Sequence, residues 1–101
     1  KETKLDRAAF CRLYTRHNLA LYRYAYTRLH NVQDAQDAVA DTVLEAYSHL
    51  HTLRNPEAFK SWIFTILHRV CNRYLTRRTA QAEQTETEEA AAPLDPTAKP
   101  N

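Results

Sequence analysis

The 101-residue sequence contains no glycine. Devices that need a residue without a Cβ are therefore excluded: a phosphate-binding loop, a dinucleotide fingerprint, a nucleophile elbow or a calcium-loop turn. Two-residue hairpins lose their favoured turn residue as well, which argues against a β-rich fold. The length allows one domain, and 44% hydrophobic with 26% charged residues is ordinary soluble composition. No apolar run approaches the roughly 18 residues of a membrane span, and no signal-peptide pattern opens the chain. Cys11 and Cys71 are the only cysteines. A lone pair suggests neither a disulfide scaffold nor a four-cysteine metal site, and a reducing cytoplasm is the expected location. Methionine is missing even at position 1, so the sequence reads as a piece of something longer.

The net charge of +2 hides a partition. Residues 1–78 carry thirteen lysines and arginines against seven acids, a net of +6, whereas residues 79–101 carry one lysine against five acids, a net of −4. A basic helical domain over 1–78 followed by an acidic Ala/Glu/Pro-rich linker or tail over 79–101 is the expected organisation. The tail holds one large apolar residue, Leu94, and three of the four prolines. It buries too little to offset its ordering entropy, although residues 81–92 could prolong a preceding helix.

The basic part predicts an all-α fold, a compact bundle of three helices with room for an extra short one. The first helix is expected over about residues 5–29, where Phe10, Leu13, Tyr14, His17, Leu21, Tyr24 and Ala25 recur at spacings of three and four. After the turn His30-Asn31-Val32-Gln33-Asp34, Asp34 reads as an N-cap with Asp37 three positions on. The second helix then runs to about residue 50, with Ala35, Val39, Val43, Ala46 and Leu50 on one face. Asn55-Pro56-Glu57 supplies a cap, a proline at the first helical position and an acid in the first turn. The third helix is expected over about residues 56–78, with Phe59, Ile63, Ile66, Val70 and Tyr74 inward. About 75 folded residues is near the lower limit for a self-sufficient core, which favours close helix packing.

Two constellations stand outside these stripes. Asp34, Asp37, Asp41 and Glu45 fall within about 80° of arc on the second helix, on the face expected to lie opposite its apolar stripe. Nothing on that helix neutralises them. The alternatives are a solvated face favoured by the helix dipole and a docking face for a basic partner, to which the adjacent Leu44 would add an apolar contact. On the third helix, Trp62, Thr65, Arg69, Asn72, Arg73 and Thr76 lie within about 100° of arc. Lys60, Arg77 and Arg78 extend the basic run, with no acid between Glu57 and Arg78. Arginines that hold phosphates, an aromatic platform and a base-reading amide suit nucleic acid, whereas the alternative is a partly buried Trp62 and solubilising arginines. His49 and His51 lack further ligands at zinc spacing, so no metal or other cofactor is expected. No nucleophile or histidine stands near the carboxylates, and an enzyme is not expected.

The order LYRYAYTRL, DAQDAVADTVLEAY and NPEAFKSWIFTILHRVCNRYLTRR resembles region 2 of the extracytoplasmic-function (ECF) sigma factors, the minimal branch of the sigma-70 family. The likeness covers about residues 8–78. It implies a helical domain that holds the −10 promoter element and stabilises melted DNA during transcription initiation, with no catalytic activity of its own. It implies that Asp37 and Asp41, with Leu44 and the flanking Asp34 and Glu45, dock on the β′ clamp coiled coil of the RNA polymerase core. It further implies that the loop carrying His51, Thr52 and Arg54 accepts a base flipped from the non-template strand, at an extrusion cost of a few kcal/mol. The start of the third helix joins that site, and the rest of the helix meets the upstream edge of the melted region. An anti-sigma factor is a further partner of this family, and membrane insertion is not implied.

The chain departs from the family where Ala40 replaces a usual glutamine, Arg69 a common asparagine, and Arg73 a frequent aspartate. The −35-reading domain has no counterpart here, and the tail resembles the connecting linker. These departures keep open an interaction-only module: a face captured by an anti-sigma factor, or a sigma-like decoy on polymerase. A general nucleic-acid binder without base preference is the third reading.

Overall fold

The computed structural model describes residues 6–91, with side chains described through residue 82. The chain forms α1 (Arg7–Leu29), α2 (Val32–Ser48) and α3 (Phe59–Ala91), with short 3-10 turns at Leu50–Thr52 and Pro56–Ala58 between α2 and α3. Each long helix packs on the other two. The fold is the expected all-α three-helix arrangement, and among the described residues there is no strand.

Polar side chains set the helix starts. Asp6 caps α1 by accepting a 2.8 Å hydrogen bond from the Ala9 backbone N–H. Asn55 accepts from the Glu57 N–H at 3.0 Å, so the Asn-Pro-Glu start forms as expected, beginning as a 3-10 turn that feeds into α3. The start of α2 differs from expectation. Its N-cap is Asn31, whose Oδ1 accepts from the Asp34 N–H at 2.8 Å. Both Asn31 and Asp34 are good capping residues. The earlier cap adds a turn, buries Ala35 and leaves Asp34 inside the first turn, near the positive end of the helix dipole.

The link between α1 and α2 shows how a chain without glycine makes a tight reversal. His30 takes the left-handed conformation at φ 55°, and its N–H bonds the Tyr26 carbonyl at 2.7 Å. Glycine usually fills this helix-ending position because it has no Cβ to clash.

The core consists of Phe10, Leu21, Ala25 and Leu29 of α1, Ala35, Ala38, Val39 and Ala46 of α2, and Phe59, Ile63, Ile66, Leu67, Val70 and Cys71 of α3, closed by Leu53. At one end Phe59 meets Phe10 at 5.8 Å between ring centroids, His17 at 5.9 Å and Trp62 at 5.9 Å. The expected inward residues of α1 and α3 are buried or half-buried, with Leu29, Leu67 and Cys71 added. On α2 the buried face includes Ala38 and Thr42, both fully buried, while Val43 and Leu50 are half-buried. The two additional residues turn the buried face toward the carboxylates, which flank the core rather than lie opposite it. The Thr42 hydroxyl donates back to the Ala38 carbonyl at 2.8 Å, so its burial strands no polar atom.

α3 continues unbroken past Arg78 to Ala91, through the position where composition turns acidic. Leu94 and the prolines of the tail lie outside the described residues. Substituting His30→Gly relieves the left-handed strain of roughly 1–2 kcal/mol, partly offset by the greater freedom of glycine in the unfolded chain. A net gain of about 0.5 kcal/mol is expected, read as a higher urea midpoint at unchanged slope.

Candidate nucleic-acid and partner interface

Three carboxylates of the α2 stripe are engaged by α3. Asp34 accepts from Arg78 at 2.7 Å, Asp41 from the Tyr74 hydroxyl at 2.8 Å, and Glu45 from Arg73. The two helices run antiparallel, so the order Asp34, Asp41, Glu45 meets Arg78, Tyr74, Arg73 rung by rung. Asp37 is exposed and accepts from Gln33 of its own helix at 2.9 Å. Leu44 is 69% exposed, about 20° from Asp37 around the helix axis. The stripe thus divides into a seam against α3 and an outward pair, Asp37 and Leu44.

Tyr74 is the most perturbed group of this seam. Burial, then the Asp41 hydrogen bond and the charges of Asp41 and Asp37, push its phenol up to about 12, against the opposing effect of Arg77. The Arg77 guanidinium lies 4.6 Å from the centre of the Tyr74 ring, a cation–π contact.

Trp62, Thr65, Arg69, Asn72 and Thr76 share one side of α3. Trp62 is half-buried against Phe59, and Thr65, Arg69, Asn72 and Thr76 are exposed. Thr65 donates to the Ser61 carbonyl at 2.8 Å, which leaves its oxygen outward as an acceptor. Arg73 and Arg78 are held at the α2 edge by Glu45 and Asp34, and Arg77 lies over the Tyr74 ring of its own helix. Lys60 stands apart from the strip on the α1 side. There burial first, then the charges of Lys60 and Arg16, hold His17 below its ordinary range.

The loop before α3 is built on Leu53, 5% exposed in the core, with His51, Thr52 and Arg54 exposed around it. The Thr52 hydroxyl donates to the His49 carbonyl at 2.7 Å, and the His49 and His51 rings lie 6.4 Å apart. Leu53, an isolated apolar residue in a polar loop, is the sequence signal for this anchor. Among the described residues no group of three or more His, Cys, Asp or Glu side chains could hold a metal ion. Both cysteines are free; Cys71 packs in the core, and burial raises its thiol.

Sequence reasoning did not identify the polar cluster beneath the strip. Arg28 of α1 donates to the Tyr24 hydroxyl at 3.0 Å and to Asn72 Oδ1 at 2.6 Å, and lies 3.1 Å from His68 Nδ1. Tyr24 is 2.8 Å from the same His68 nitrogen. Arginine only donates, so Nδ1 accepts. His68 and Asn72 stand one turn apart on α3, but no periodicity links them to Arg28 of α1; only packing brings that residue to them.

Residues 13–81 match the family model for sigma-70 region 2. The chain is 33% identical over 78 residues to RNA polymerase sigma factor SigV of Bacillus subtilis, covering 77% of this chain and 47% of that protein. It is 35% identical over 75 residues to ECF RNA polymerase sigma factor SigM of Mycobacterium tuberculosis, covering 74% and 38% respectively. No solved structure gives a significant match. The chain belongs to the sigma-70 region 2 family, in its ECF branch, and it spans less than half the length of these curated relatives. The similarity points to sigma factors and not to catalytic proteins.

Folding favours the neutral Tyr74 phenol, so its contribution is fully present below pH 10 and is lost as pH rises from 10 toward about 12. Tyr74→Phe is expected to lower unfolding free energy by about 1 kcal/mol at pH 8. In urea titrations the difference from the parent should shrink between pH 10 and 12.

Proposed function

We propose that this chain recognises the −10 element of promoter DNA and stabilises the melted non-template strand, docked on the RNA polymerase core as part of a transcription-initiation factor. The observation that carries the reading is the side of α3 where half-buried Trp62 stands beside exposed Thr65, Arg69, Asn72 and Thr76, within a domain of the sigma-70 region 2 family. An aromatic platform takes a stacked base, guanidinium groups take phosphates, and an amide takes a base edge. His51, Thr52 and Arg54 of the preceding loop complete the pocket for an extruded base, with Leu53 fixing the loop to the core. Such a factor works in the cytoplasm.

Docking on the β′ clamp coiled coil uses Asp37 and Leu44 as the outward pair. Asp34, Asp41 and Glu45 present their remaining lone pairs beside them. An anti-sigma factor would compete for the same surface. No step requires a cofactor or bond chemistry by the protein, because extrusion and stacking are binding events.

A second reading has a specific observation in its favour. Arg73 and Arg78, two of the basic residues assigned to DNA, are paired with Glu45 and Asp34. If those pairs persisted with DNA present, the domain would be an interaction module with few cations for phosphate. Exposed ion pairs are worth only about 0–1 kcal/mol, so exchange for a phosphate is the expected behaviour.

Fluorescence anisotropy of the 101-residue chain with single-stranded oligonucleotides at several salt concentrations separates the readings. Binding is expected to be weak, because polymerase supplies much of the positioning. Four contacts from Arg69, Arg73, Arg77 and Arg78 give a log–log slope of about −3, from roughly −0.7 per contact on single strands. Arg69→Ala should flatten it by about 0.7. A parent slope near −1.4 would mean that the two ion pairs persist, and absence of binding would favour the interaction-only reading. Polymerase docking is checked separately: Asp37→Arg should abolish capture by the immobilised clamp coiled coil while the variant still unfolds cooperatively, since the hydrogen bond it loses is to Gln33 of its own helix.

A further inference from the structure

Asn72 is exposed on the DNA-facing side of α3, yet half of its amide is already in use. Its Oδ1 accepts the 2.6 Å hydrogen bond from Arg28 Nη2. The amide orientation follows from chemistry: guanidinium nitrogens have no acceptor, so only the amide oxygen can face them. Arg28 is itself half-buried and fixed from two further directions. Its Nη1 donates to the Tyr24 hydroxyl at 3.0 Å and lies 3.1 Å from His68 Nδ1. The Tyr24 hydroxyl lies 2.8 Å from that same nitrogen. Nδ1 faces two donors, Arg28 Nη1 and the Tyr24 O–H, which share its single lone pair. On the solvent side, Asn72 lines a shallow groove of about 420 Å³ together with Arg73, Thr76 and Arg77.

We propose that Asn72 reads a base in this groove, and that Arg28, a positioning residue on a different helix, restricts it to donating a hydrogen bond. The inference rests on the −10 reading above and specifies the chemistry of one of its contacts. A free asparagine reads adenine through both amide atoms, accepting from N6 and donating to N7. With Oδ1 turned toward Arg28, one of its two lone pairs is taken, and the Nδ2 hydrogens are the groups left to meet a base. They suit the exocyclic carbonyl of thymine or guanine; adenine keeps only its N7 contact, and the exocyclic amino group of adenine or cytosine is opposed. The site therefore selects a keto base over an amino base. Arg73 and Arg77 stand beside Asn72 for the phosphate of the same nucleotide, and Thr76 supplies a hydroxyl.

The test is anisotropy of the 101-residue chain with single-stranded oligonucleotides carrying each of the four bases in turn at every position, at fixed salt. The parent is expected to favour T and G over A and C at one position by roughly fivefold, the value of one hydrogen bond. Arg28→Ala frees the amide to rotate and should erase that preference while leaving binding to the other positions intact. Asn72→Asp offers only acceptors and keeps the Arg28 contact as an ion pair, so it should reverse the preference with the melting temperature unchanged or raised. This second variant keeps the test decisive if Arg28→Ala fails to fold. A keto preference unchanged in both folded variants would overturn the role of Arg28 and Asn72 while leaving −10 recognition standing. A parent that prefers A or C at that position would also overturn it. A parent with no base preference anywhere would remove the base-reading function itself, and this assignment with it.

Discussion

Along the seam between α2 and α3, small side chains let two helices approach closely enough for their flanking polar groups to meet. Ala35, Ala38, Thr42 and Ala46 are all fully buried there, and they present little bulk to the apolar residues of α3. Asp34, Asp41 and Glu45 sit on the shoulder of that face, within reach of Arg78, Tyr74 and Arg73. The two ion pairs are exposed enough to be weak singly. The half-buried Tyr74–Asp41 hydrogen bond fixes the register, because leaving either group unpaired in that position costs more than the bond itself contributes.

The seam decides which charges face outward. A stripe of four acids becomes three that hold α3 and one, Asp37, that stands beside the exposed Leu44. A run of arginines likewise divides into two paired with α2, Arg73 and Arg78, one over the Tyr74 ring, Arg77, and Arg69 on the Trp62 side of the helix. Counting charges on isolated helices overstates what either face offers a partner. The same weakness that makes exposed pairs poor stabilisers makes them cheap to break.

The lack of glycine shapes the rest of the architecture. Three capping side chains, Asp6, Asn31 and Asn55, supply acceptors for otherwise unpaired N–H groups at helix starts. A histidine takes the left-handed turn position at the end of α1. The connection from α2 to α3 is made from two 3-10 turns, which need no positive φ, with Leu53 buried between them. That leaves His51, Thr52 and Arg54 on a loop whose position is set by the core.

The sequence by itself determined the all-α class, the apolar faces of α1 and α3, the Asn55 start and the strip running from Trp62 to Thr76. All of these are local, depending on a 3.6-residue period and on side chains that bond their own backbone. The same local information left the choice between Asn31 and Asp34 open, because both residues cap well. It also placed the carboxylates away from the core, because Ala38 and Thr42 carry too little apolar weight to mark a buried face. Only the tertiary structure decided which carboxylate meets which arginine and that Arg28 reaches Asn72. Those contacts join residues 28 to 44 positions apart, where no periodic signal connects them and only helix packing sets the distance.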